Sequence, residues 1–441
     1  MVAVALRNLR HRPGGFVATF LSAFLGATLL MAFASLLDTA RAADPASSES
    51  LTTTAGVGGG WCLIIVAFAV TSTLSLAVRQ RADQFALLHR VGATRPQLRR
   101  MIVGEAAAVA LLAATAAIPA GLILGRVLLQ LLRNTGQATD SIPYAFGPIA
   151  LSVGFGVTLL GSLVAGVATA RRTAAPARGG ARRPRSRARR LFALLFLAIG
   201  ANCAILTATL MDGKGIDAMQ TAGQAGIWAA IGLALLAPEL LRLVTAALAA
   251  PLRAAGVPGE LAVLTLRSRT RELASAVMPV LIFTGVATGT VYMQAIENRA
   301  SAGRIEPDYA QDVKTLNYVV VGMITLFVAI MLVNTLIAAT ARRRVEFAQQ
   351  RLAGATRPQL IAMVALEALV VTITGALGGT LAAMFTVLPF GSARADQVWP
   401  DATPTAYAVI LVIAAALTGA AMLGATRRTV RGPATASIRT A

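Results

Sequence analysis

Residues 85–105 read FALLHRVGATRPQLRRMIVGE, and residues 347–367 read FAQQRLAGATRPQLIAMVALE. At an offset of 262 positions, Gly92–Leu98 and Gly354–Leu360 are identical, and the pairs Phe85/Phe347, Met101/Met363 and Glu105/Glu367 also match. Fainter echoes lie on either side. Leu6-Arg7-Asn8 corresponds to Leu266-Arg267-Ser268, and Arg171-Arg172-Thr173 to Arg427-Arg428-Thr429. Self-similarity over this distance means that one unit occurs twice in the chain.

The repeated stretch reads as helix, tight turn, helix. Phe85, Leu88 and Val91 fall at three-residue spacing with Leu87 alongside, which makes an apolar stripe on a helix over Asp83–Val91. Gly92 is placed to end that helix as a C-cap glycine. Thr94 is placed to cap a second short helix, with Pro96 in its first turn. Arg79, Arg81, Arg95, Arg99 and Arg100 flank the loop. The second copy repeats the design, but Gln349 and Gln350 stand where the first has leucines. An apolar stripe beside a membrane calls for a partner surface or the headgroup layer.

The rest of the chain supplies the membrane. Of 441 residues, 56% are hydrophobic and 13% charged, with a mean hydropathy of +0.70. Soluble domains carry about 25% charged residues, so this chain uses lipid as its solvent. Apolar runs long enough to span fall at 16–37, 60–78, 102–124, 146–170, 191–211, 224–247, 273–295, 316–340, 361–388 and 405–425. The first begins after Arg7, Arg10 and Arg12, as a signal peptide does, but it is too long for a signal core and is expected to be retained.

The net charge of +21 does not point to nucleic acid, because of where the charge sits. With ten spans and a cytoplasmic start, the inside segments hold 32 of the 40 Lys and Arg but only 7 of the 19 acidic residues. That asymmetry predicts a multi-pass protein with both termini in the cytoplasm. The arginines at 182, 183, 185, 187, 189 and 190 form the densest cluster, read as an anchor on anionic lipid.

The expected fold class is therefore an all-α polytopic membrane protein in a 4+2+4 arrangement. Residues 1–175 form the first four-helix unit, 176–255 an Arg-rich linker with two linking helices, and 256–441 the second unit. An even number of spans separates the copies, so the repeats run parallel, about an axis along the membrane normal, with a cleft expected between them. Outside loops are short, and Ala46–Gly60, rich in Ser, Thr and Gly, reads as a flexible tether. The pairs Gly121/Gly125, Gly285/Gly289 and Gly375/Gly379 have helix-packing spacing.

The loop resembles the cytoplasmic signature of FtsX/MacB-like permeases of ABC transporters, a Glu-Ile-Gly-Leu-Leu-Arg-Ala-Leu-Gly-Ala-like pattern between the second and third helices of each unit. Gln84, Phe85, Ala86, Leu87, Leu88, His89, Arg90, Val91 and Gly92 lie along it, followed by Arg95. Glu346, Phe347, Ala348, Gln349, Gln350, Arg351, Leu352, Ala353 and Gly354 do so in the second copy, followed by Arg357. The acidic position is kept only in the second copy, with Asp83 one residue earlier in the first, and Ala86 and Ala348 replace the family's glycine. Glu105 and Glu367 match an acidic position of the family. The resemblance implies that each loop docks into a partner ATPase. The ten-helix layout is similar to the permeases of bacitracin-type peptide exporters, but only 296–315 fills the place of their large outside domain.

What is missing from the sequence agrees with a separate motor. The chain has two lysines, Lys214 and Lys314, and neither sits in a phosphate-cradling Gly-x-x-x-x-Gly-Lys-Ser/Thr pattern. His11, His89, Cys62 and Cys203 have no metal-ligand spacing. Glu239 and Arg242 sit near an inner span end, Arg126 at an outer end, and Asn202 and Asn334 are polar at depth, where interhelical hydrogen bonding is their expected role. Ion-coupled carriers place ionisable groups mid-membrane, so a secondary carrier fits poorly. The expectation is a non-enzymatic permease subunit of the bacterial inner membrane that exports a lipophilic compound (drug, lipid or lipopeptide). No cofactor is expected in this chain; ATP and Mg belong to two copies of a partner ATPase. The alternative is an FtsX-like mechanotransmitting regulator of an envelope partner, without transport.

Overall fold

The computed structural model describes residues 14–79, 92, 94–134, 136–173, 184–211, 216–300, 343–395 and 404–431, with isolated positions between 322 and 340. Among these residues the fold is all-α. Contacts divide the chain into two units, one holding the first four described helices and the other the remainder.

The first unit comprises α1 (Gly14–Ala40), α2 (Pro45–Arg79), α3 (Arg95–Asn134) and α4 (Pro148–Thr173). Helix α1 is its centre and packs on the other three. Ala27 and Met31 of α1 meet Ala114 and Ala117 of α3 in a fully buried cluster. Small side chains dominate such contacts because, in lipid, association rests on close packing rather than on expulsion of water. Several buried threonines return their hydroxyls to the preceding turn, as Thr28 does to the Phe24 carbonyl at 2.8 Å and Thr158 to Gly154 at 2.7 Å, which satisfies those donors in an apolar setting.

Segment 46–60 is not the tether its composition implies: it is the opening part of α2. Ser47, Leu51 and Ala55 are buried. Gly58 and Gly59 sit against the Phe33 ring of α1, and this close approach is the reason for glycine there. Serine and glycine disfavour helix intrinsically, but tertiary packing overrides propensity.

The second unit comprises α5 (Pro184–Leu210), α6 (Ile216–Leu235), α7 (Ala237–Arg253), α8 (Val257–Ser268), α9 (Thr270–Ala300), α10 (Arg344–Leu352), α11 (Arg357–Ala395) and α12 (Pro404–Val430). Here α11 is central, and its most extensive partner is α9. Their seam is built on glycine: a Cβ on Gly379 would lie 2.7 Å from the Leu281 carbonyl oxygen and 2.8 Å from the Gly285 nitrogen. The two helices corresponding to the linking spans, α5 and α6, pack on each other and on α11.

Among the described residues, six helices are long and apolar enough to cross a membrane, or seven if the bent pair α6/α7 counts as one. Two further expected spans correspond to shorter apolar helices over the described residues, Pro148–Val164 and Val328–Ile337, and another falls within α2. The stretch 224–247, expected as one span, is broken by a 68° bend between Leu235 and Ala237. Pro238 explains the break, since it cannot donate to the preceding turn and is suited to starting a new helix. Beyond it, α7 buries Leu241, Thr245, Ala249 and Leu252 and exposes Arg242 and Leu243, an amphipathic pattern. Asn202 is exposed on α5 rather than bonded between helices, and Asn334 lies outside the described residues.

Candidate functional site

The two copies of Gly-Ala-Thr-Arg-Pro-Gln-Leu adopt matching turns. Gly92 has φ +105° and Gly354 φ +100°, backbone that only glycine adopts without strain. At the second copy the end of α10 is fully described. The Gly354 N–H donates to the Arg351 carbonyl at 3.1 Å and the Ala355 N–H to the Gln350 carbonyl at 2.9 Å. That pairing is a Schellman motif with glycine at its left-handed position.

Two residues on, a capping box starts the next helix. The Thr356 N–H donates to Gln359 Oε1 at 2.9 Å, and the Gln359 N–H donates to Thr356 Oγ1 at 3.4 Å. In the first copy the Thr94 N–H donates to Gln97 Oε1 at 2.9 Å. The helix that each threonine opens is not short. It is α3 in one case and α11 in the other, of 40 and 39 residues. At 1.5 Å per residue each is a rod of about 60 Å, twice the hydrocarbon thickness of a bilayer. The turn is therefore attached directly to the longest described helix of its unit.

Of the residues singled out in the first loop, Gln84, Phe85, Leu87, Leu88, His89 and Arg90 lie outside the described residues. Gly92 is exposed and Arg95 begins α3. In the second loop the structure separates two groups. Gly354 and Arg357 are exposed at the tip, together with Gln349, Leu352, Thr356 and Pro358. Glu346, Phe347 and Arg351 turn inward. Phe347 is 1% exposed, and Arg351 Nη1 donates to the Val430 carbonyl at the end of α12 at 3.2 Å.

Glu346 and Glu367 enter an ion cluster organised by Arg343. The Arg343 guanidinium donates twice to the fully buried Glu367, Nη2 reaching Oε1 at 3.0 Å and Nη1 reaching Oε2. Its Nε donates to Glu346 Oε2 at 3.0 Å, and its Cζ lies 4.9 Å from the Phe347 ring centroid. Glu346 Oε2 also accepts from Arg269 Nη1 at 2.8 Å. Arg269 also pairs with the exposed Glu272 at 3.6 Å. Burial alone would lower the Arg343 pKa, but the two carboxylates outweigh it and hold it above its ordinary value. Glu105, the counterpart of Glu367, is also buried.

Sequence reasoning passed over Arg343 and Arg269, and placed Leu352 along the family pattern without singling it out. A signal for the first existed, since Arg81 occupies the corresponding position of the first copy. Leu352 is 59% exposed beside the turn, an apolar group that the helical stripe alone does not distinguish from a buried one.

The family model described as the FtsX-like permease C-terminal domain matches residues 56–176 and again 318–434, more than half of the chain in total. The chain belongs to the FtsX-like permease family. Both matched segments contain the repeated turn and the long helix that follows it, whereas α1 and α9 lie outside them. No curated protein matches the chain significantly. Membership makes it a multi-pass, non-catalytic membrane component of ABC-transporter type, from a family that generally works with ABC ATPase partners.

Proposed function

We propose that this chain is the membrane-spanning subunit of an ABC exporter for a lipophilic compound, driven by a separate ATPase dimer that grips the loops at 79–100 and 342–360. In this reading the protein sits in the bacterial inner membrane with both termini in the cytoplasm, and ATP and Mg are bound only by the motor. The observation that carries it is the exposed tip of the second loop. Leu352, Gly354, Thr356 and Arg357 stand out from the chain at a turn fixed on both sides and joined to a 39-residue helix. An exposed leucine beside an arginine offers an apolar anchor and a charge to a protein partner. Motor closure would displace the tip and move α11 with it. The apolar composition and the short outside loops favour a cargo taken from the bilayer over a large envelope partner.

Co-purification with the partner ATPase tests the docking. Leu352→Glu is expected to reduce capture of the ATPase at least about tenfold, as loss of a hot-spot side chain does. Gly354→Pro and Arg351→Glu are expected to uncouple export of a lipophilic dye from ATP hydrolysis while leaving membrane insertion intact. Full capture by Leu352→Glu overturns the docking reading. Crosslinking at 38–59 and 296–315 that recovers a specific envelope protein, with no dye export, replaces export by mechanotransmission.

A further inference from the structure

We infer that Arg343 is a positioning residue that pins the docking helix α10 to α9 and α11, so that the three move as one body. The inference rests on α10 leading into the motor contact, as proposed above. Two helices and the junction between two others are tied together here. Glu367 comes from α11, and Glu346 and Phe347 from α10; Glu346 passes the tie on to Arg269, at the junction between α8 and α9.

An apolar contact alone lets one helix slide over another. A planar guanidinium held bidentately by a buried carboxylate does not, because its donors are fixed in a fork that fits one geometry. Arg343 is 8% exposed and Glu367 0%, so water cannot substitute for either partner when the pair is displaced. Beyond the pin, the Gly379–Gly285 seam brings α11 and α9 into backbone contact. A displacement of α10 therefore reaches both helices at their shared end.

The first copy carries Arg81 and Glu105 at the matching positions but Gln84 in place of Glu346. With Asp83 one residue earlier, an acidic residue at the Glu346 position itself is thus particular to the second copy.

The test uses the full chain in phosphatidylethanolamine/phosphatidylglycerol nanodiscs and reads amide hydrogen exchange over 344–352. Glu367→Gln is expected to raise exchange there at least about tenfold, and Glu346→Gln, which installs the residue of the first copy, about threefold, with α5 and α6 unchanged. Unchanged exchange in Glu346→Gln overturns the pin even if Glu367→Gln fails to fold. In complex with the ATPase, Glu346→Gln is expected to lose at least about threefold of the stimulation of ATP hydrolysis per molecule of ATPase captured. Raised exchange with full stimulation makes the cluster structural only and overturns the transmission claim. Failure of the wild-type chain to capture an ATPase overturns the docking reading alone, and the exchange result then still decides whether α10 is pinned.

Discussion

The two copies agree where the backbone turns and differ in how their helices are tied. Both turns carry a positive-φ glycine followed by Thr-Arg-Pro-Gln, whose glutamine accepts from the threonine N–H; at the second copy the Gln359 N–H also donates to the threonine hydroxyl and completes the capping box. The helix ends far from these turns, by contrast, use similar residue types in different circuits. In the first unit Asp38, at the end of α1, accepts the N–H groups of Gly147, Ile149 and Ala150 at 3.0, 3.2 and 2.8 Å, and so caps α4 from another helix. Arg133, at the end of α3, donates to the Ile142 carbonyl. In the second unit the corresponding acid and base meet directly: Arg394 of α11 donates to Glu297 of α9 at 2.8 and 2.7 Å. A turn has few backbone solutions and tolerates little drift. A helix end that needs a counter-charge or an acceptor has many solutions, and the copies found separate ones.

The comparison breaks most severely at the helix seams. An added Cβ on Gly379 meets backbone at 2.7 Å, whereas one on Gly121 meets the Met31 Cβ at 2.9 Å, with the flexible thioether beyond it. Gly379→Ala is therefore expected to cost about 3 kcal/mol or more, and Gly121→Ala about 1 kcal/mol. Thermal unfolding of the detergent-solubilised protein checks the order. Equal losses would mean that the α1/α3 seam is as rigid as α9/α11.

A smaller contrast separates the outer ties. Asp38→Ala strands three N–H groups at a half-buried helix start, at an expected cost of about 3 kcal/mol. Glu297→Ala leaves a single arginine, 11% exposed, near a helix end where its side chain can reach towards water, and is expected to cost about 1–2 kcal/mol. Chemical denaturation of each variant measures both. A larger loss for Glu297 than for Asp38 would reverse the ranking of cap over ion pair.

Much of this was legible in the sequence, for identifiable reasons. The duplication, the turn glycines and the capping threonines are local, so seven identical residues were enough to place them. Apolar runs revealed the membrane helices because lipid imposes length and hydropathy directly. What stayed hidden depended on partners distant in the chain. The Ser- and Gly-rich start of α2 is helical because Phe33 fits against Gly58 and Gly59. Phe347 reads as part of a docking stripe but is buried, with the Arg343 guanidinium over its ring. The break before α7 was within reach of the sequence, since Pro238 interrupts an otherwise continuous apolar run.

The mildest prediction addresses the feature the copies share. If the capping box is what both turns preserve, Thr94→Ala and Thr356→Ala should act alike, each costing about 1 kcal/mol of local stability at the start of α3 or α11. The cost is local because Gln97 and Gln359 still reach back to the backbone N–H at residues 94 and 356, and only the threonine hydroxyl is lost. Amide exchange over the first turn of each helix is the measurement, with about fivefold faster exchange expected in both variants. A response confined to Thr356 would show that Thr94 makes no working cap, and that identity over seven residues does not ensure equal function. Equal responses, alongside unequal exchange over the preceding segments 83–91 and 344–352, would locate the divergence of the two copies upstream of the turn, where Gln84 corresponds to Glu346.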